Sequence, residues 1–98
     1  MDLDNIPQKY QKDIEMATNL LKREGCQSVY LFGSLVTGKN HDESDIDIGV
    51  KGLPPKKFFS VAASLDKETS NKIDLVDFDL SRDFYLLLDS LGEVFKLG

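Results

Sequence analysis

Residues 29–34 read Val29-Tyr30-Leu31-Phe32-Gly33-Ser34, and beyond Gly38 the chain continues as Ser44-Asp45-Ile46-Asp47-Ile48-Gly49-Val50. From Val29 to Phe32 the run is apolar without alternation, as expected of a strand covered on both faces. Gly33 stops it, and a glycine there lets the backbone turn tightly and approach another group with no Cβ in the way. Ile46, Ile48 and Val50 then alternate with Asp45, Asp47 and Gly49. Period two predicts a second strand, with the carboxylates on one face and the branched apolar residues on the other.

Outward from this centre the periodicity changes. Ile6, Tyr10, Ile14, Ala17, Leu20 and Leu21 recur at helical spacing among Lys, Gln, Asp and Glu, predicting an amphipathic first helix that ends near Gly25. Phe58, Val61, Ala62 and Leu65 follow Pro54-Pro55 as a second long helix, proline being tolerated in a first turn. Ile73 to Leu80 reads as a third strand. Phe84, Leu87, Leu88 and Leu91 mark a last helix with Ser81 as its N-cap, and Glu93 to Leu97 reads as a short closing strand. Strands alternating with helices predict an α/β layer fold.

The chain has 98 residues, 41% of them apolar, which fits one domain spanning 1–98 with its own core. Lys and Arg number 12 against 17 Asp and Glu, a net charge of −5. That balance argues against direct nucleic-acid binding, which needs clustered cations, and favours a basic partner surface. Cys26 is the only cysteine, so no internal disulfide forms and a reducing, cytoplasmic setting is expected. No apolar run approaches the length of a membrane span, so no membrane partner is expected.

The chemistry concentrates around Gly33 and Asp47. If Ser34 opens a short helix, its free N–H groups and hydroxyl would face an anion such as a phosphate, and Gly38 would let the chain leave within a turn. Alone, a Gly-Ser pair is most often an ordinary turn and Asp-x-Asp a solvated strand face. Yet Asp45 and Asp47, about 6.5–7 Å apart along one face, repel each other unless a cation sits between them, and hard oxygen donors so placed suit Mg²⁺. Two such ions can hold the attacking and leaving oxygens of an in-line phosphoryl displacement. A third carboxylate is expected from Ile73 to Leu80, where parity puts Asp74 in a row with Val76, Phe78 and Leu80, and puts Asp77 and Asp79 on the opposite face with Ile73 and Leu75. His41, alone in a polar loop, is assigned no role, and Cys26 is expected to pack as a small apolar residue.

Gly33-Ser34, Gly38 and Ser44-Asp45-Ile46-Asp47 together resemble the Gly-Ser and Asp-x-Asp signature of the DNA polymerase beta-like nucleotidyltransferases, most of all the minimal nucleotidyltransferase (MNT) proteins. Lys72-Ile73-Asp74-Leu75-Val76-Asp77 resembles the strand that carries the family's third carboxylate, which favours Asp74 over Asp77. The resemblance implies a small nucleotidyltransferase fold, a mixed sheet flanked by helices. It implies ATP as substrate and two Mg²⁺ ions held by Asp45, Asp47 and Asp74, the catalytic set, with Gly33, Ser34, Gly38, Lys39 and Ser44 at the nucleotide. Many MNT proteins are antitoxins paired with HEPN-domain toxins, and some transfer AMP to a toxin tyrosine. One departure is that many relatives carry Arg or Lys in the turn after Gly-Ser, where this chain has Leu35, Val36 and Thr37. Lys39 is then the candidate cation for the phosphates.

Little chain follows Asp74, which favours a macromolecular acceptor, a partner toxin, over a small molecule. The alternative is a module that keeps the fold and neutralises its partner by contact alone. Self-association is left open.

Overall fold

The computed structural model describes residues 6–39 and 44–98. Helix α1 (Gln8–Arg23) forms where the apolar stripe predicts it and buries Tyr10, Ile14, Ala17, Leu20 and Leu21. Strand β1 (Ser28–Phe32) follows, then the four-residue helix α2 (Ser34–Thr37) and strand β2 (Ile46–Lys51). Pro55 opens a 3-10 turn, Pro55–Lys57, that leads into α3 (Phe58–Glu68). Strand β3 (Ile73–Asp77), helix α4 (Arg82–Ser90) and strand β4 (Val94–Lys96) complete the order.

The sheet has the order β3-β2-β1-β4, with β1 antiparallel to β2 and β4, and β2 parallel to β3. It is the mixed, helix-flanked sheet expected. On one face Val29, Leu31, Ile46, Ile48, Val50 and Ile73 meet α1 and α3 in the main core. On the other, Tyr30 and Phe32 meet Phe78 and Leu88 in a smaller aromatic cluster beneath α4. A Cβ on Gly49 would overlap the Phe78 ring, so the absence of a side chain there is what lets that ring pack against β2. Cys26 is buried in the main core, and burial pushes its thiol pKa up. It packs as the small apolar residue expected.

Two elements differ from the sequence reading. The third strand stops at Asp77 rather than Leu80, because the Asp77 carboxylate accepts the N–H groups of Asp79 (2.9 Å) and Leu80 (3.3 Å) and bends the chain into a turn. Asp77 is therefore a buried turn-former, and Asp79 accepts the Gly52 N–H at 2.8 Å. Helix α4 buries Leu88 alone; Phe84, Leu87 and Leu91 of the same stripe stay exposed. Ser81 is at the N-cap, although its side chain makes no capping bond.

Asp13, on the flank of the α1 stripe, is buried and accepts three hydrogen bonds from the loop before β3: Ser70 N–H (3.1 Å), Asn71 N–H (2.7 Å) and the Asn71 side-chain amide (2.9 Å). The clamp fixes where β3 begins, and Lys72 next to it accepts the Ile46 N–H that opens the β2–β3 ladder. Asp13→Ala removes the acceptor for all three donors and is expected to cost about 2–3 kcal/mol. Urea denaturation checks this, and an unchanged midpoint would show that the clamp contributes nothing.

Candidate functional site

Register brings the acids together. Asp47 in β2 is flanked by Phe32 on the antiparallel side and by Asp74 on the parallel side, so two carboxylates stand abreast on adjacent strands. Asp45 lies immediately before β2 and is half-buried. Burial pushes the Asp47 carboxyl from its ordinary 3.8 up to about 6, and the charges of Asp74 and Asp45 push it the same way. These three carboxylates thus share one electrostatic neighbourhood. Asp74 is more open than an acid set in an apolar row, with Lys72 Nζ at 3.7 Å from its Oδ1 on a solvent-facing side. That exposed pair screens Asp74 weakly.

Gly33 joins the turn to this cluster. Its φ of 78° and ψ of −151° belong to a region essentially confined to glycine. A Cβ there would fall on the Asp47 carboxylate. The missing side chain therefore makes room for Asp47 itself, and not only for an incoming ligand as the sequence alone suggested. Ser34 opens α2 as expected; Val36 and Thr37 donate to Gly33 O, and Gly38, left-handed at φ 80°, donates to Ser34 O at 2.9 Å. Among the described residues no backbone carbonyl takes the N–H of Ser34 or Leu35, as at the start of any helix.

The remaining candidates surround this turn. Ser44 is buried directly before Asp45. Lys39 is exposed, its backbone N–H on Ser34 O at 3.0 Å. His41 lies outside the described residues.

Oxygen-only donors in mutual repulsion fit a hard divalent cation. Among the described residues, however, no three acidic, histidine or cysteine side chains are already drawn around one metal centre. Asp45, Asp47 and Asp74 would have to turn toward a shared ion to hold it.

Sequence reasoning missed the aromatic side of the site. Phe32, abreast of Asp47, carries Phe84 edge-on at 5.6 Å between ring centroids, so α4 borders the acids. At the other end of this face a hollow of about 310 Å³ is lined by Lys51, Phe78, Asp79, Arg82, Tyr85 and Leu86. Lys51 Nζ sits 3.5 Å above the Tyr85 ring there, a cation–π contact that fixes that end of α4. Asp13 was legible only as an acid on the edge of an apolar stripe.

A glycine turn with free N–H groups, set against paired strand carboxylates on a mixed sheet, defines the nucleotidyltransferase class. Residues 12–91 match the family model described as Polymerase beta, Nucleotidyltransferase, and the chain belongs to that family. Similar solved structures include toxin–antitoxin complexes. One, a toxin–antitoxin with AMP-PNP, is 29% identical with a TM-score of 0.68, over 87% of this chain and 72% of that one. The MntA–HepT toxin–antitoxin is 26% identical with a TM-score of 0.64, over 90% and 71%. A tri-AMPylated Shewanella oneidensis HEPN toxin in complex with MNT antitoxin gives the same identity, TM-score and coverage. Comparison with curated proteins returns no match.

Proposed function

We propose that this chain is a Mg²⁺-dependent adenylyltransferase that moves AMP from ATP to a hydroxyl of a partner HEPN toxin, a tyrosine, and so acts as its antitoxin in the cytoplasm. The observation that carries this reading is the Asp47–Asp74 pair, held abreast beside the Gly33–Ser34 turn. It is supported by membership of the nucleotidyltransferase family and by likeness to a complex whose toxin is AMPylated. No helix among the described residues is long and apolar enough to cross a membrane.

Asp45 and Asp47 would hold the ions, and Asp74 would complete the set on the acceptor side. When bound, Mg²⁺ would neutralise phosphate charge and make the α-phosphorus a better electrophile. Ser34 and Leu35 offer N–H groups to the triphosphate, Gly33 and Gly38 shape that turn, Ser44 joins them at the nucleotide, and Lys39 supplies a nearby positive charge. The acceptor oxygen bonds to the α-phosphorus, the bond to pyrophosphate breaks, and the acceptor proton passes to Asp74 or to water.

A contact-only antitoxin is the competing reading, and the absence of a basic side chain within Leu35–Thr37 favours it. Asp74→Asn separates the two. With toxin, Mg²⁺ and ATP labelled at the α-phosphate, this variant should transfer on the order of a hundredfold more slowly while its ATP affinity changes only severalfold. Asp77→Asn, whose amide oxygen can still accept the turn's N–H groups, should transfer normally. Complex formation with no transfer by wild type would decide for contact alone.

A further inference from the structure

Helix α4 carries an apolar flank that the described residues leave exposed. Phe84 is 40% exposed, Leu87 55% and Leu91 59%, and their spacing of three and four places them on one side of the helix. Phe84 to Leu91 spans about 10 Å along the axis. Such a row is too extended to be a chance exposed leucine. Its inner margin is the Phe84–Phe32 contact, and Phe32 stands abreast of Asp47, so the row runs outward from the carboxylates. Both borders are acidic: Asp83 is the helical neighbour of Leu87, while Asp45, Asp47 and Asp74 lie beyond Phe32. Arg82 lies on the far side of α4, lining the hollow with Lys51.

We propose that the Phe84–Leu87–Leu91 flank is the platform on which the acceptor protein docks, and that the acceptor meets it with an apolar helical ridge edged by Lys or Arg. The inference rests on the adenylyltransfer reading for the acceptor's identity, and on α4 for the place. An acceptor hydroxyl must reach the Asp47–Asp74 pair, and a protein that brings it there has to rest on the adjoining surface. Along that margin the surface is apolar and acids outnumber bases, with Asp83, Asp45, Asp47 and Asp74 against Lys72, which pairs with Asp74. The chain's net charge of −5 agrees with a basic-edged occupant. Affinity then comes mainly from α4 and chemistry from the carboxylates, so the two can be lost separately.

The test measures affinity of the HEPN-type toxin co-expressed with this chain, beside ATP–Mg²⁺ affinity and the thermal melt, for wild type, Leu87→Glu, Leu91→Gln and Asp83→Lys. Leu87→Glu should weaken toxin binding by about 10–100-fold, and Leu91→Gln less, with ATP affinity and melting unchanged. Asp83→Lys should slow association, an effect that fades at high salt. Unchanged toxin affinity in folded Leu87→Glu and Leu91→Gln would overturn the proposal. So would sedimentation showing a wild-type dimer that Leu87→Glu disperses while toxin affinity holds, because the occupant would then be a second copy. If wild type binds toxin without transferring AMP, yet Leu87→Glu still abolishes binding, adenylyltransfer fails and the docking face stands. A wild type that binds no toxin overturns both.

Discussion

Asp47→Asn is expected to abolish transfer, by a hundredfold or more, and at the same time to stabilise the protein. The two effects share one cause. Asp47 is the carboxylate that burial, Asp74 and Asp45 all press toward its neutral form, raising its pKa to about 6. Between about pH 4 and 6 the folded protein holds a proton there that the unfolded chain has released, so stability falls as pH rises through this window. The penalty is complete above pH 6 and relieved below about pH 4. After discounting for the half-open, solvent-screened site it is on the order of 1 kcal/mol, or about 4–8 °C in Tm. The asparagine variant should lose this pH slope and melt higher at neutral pH. Mg²⁺ should raise the Tm of wild type and do so far less for the variant, because a cation offsets the same repulsion. An equal metal response in both would place the ion elsewhere.

Gly33→Ala is expected to have the second largest effect, through geometry rather than charge. An alanine must adopt a backbone conformation that only glycine takes easily, and its methyl must displace the Asp47 carboxylate. The strain should cost about 1–3 kcal/mol, leaving a folded protein that melts lower. Transfer should fall at least tenfold more than ATP affinity, because Asp47 is misplaced while the Ser34 and Leu35 N–H groups remain. Circular dichroism beside calorimetric titration and label transfer separates these. Normal transfer in the folded alanine variant would show that Asp47 needs no room at Gly33.

The sequence carried the centre of the fold in local pattern: apolar continuity over Val29 to Phe32, and strict alternation from Asp45 to Val50. What it lacked was non-local. That Asp74 lies abreast of Asp47 depends on a parallel register set across an intervening helix, and the choice of Asp74 over Asp77 came from resemblance, not from parity. Alternation also ran three residues too far, because at Phe78 to Leu80 the Asp77 side chain offers the backbone a competing set of hydrogen bonds. Periodicity found α4 but could not say what it packs on. Its stripe looks the same whether it faces a core or, as here, buries only Leu88. Asp13 escaped because its partners, Ser70 and Asn71, lie far along the chain.

Intact-mass spectrometry of the partner toxin, after incubation with this chain, ATP and Mg²⁺, tests the central claim most directly. Toxin mass should rise by one or more adenylyl groups, the added mass should map to a tyrosine, and Asp47→Asn should leave the toxin unmodified while still binding it. A toxin that stays at its unmodified mass in a stable complex with wild type, or one that the Asp47 variant modifies at the wild-type rate, would contradict it.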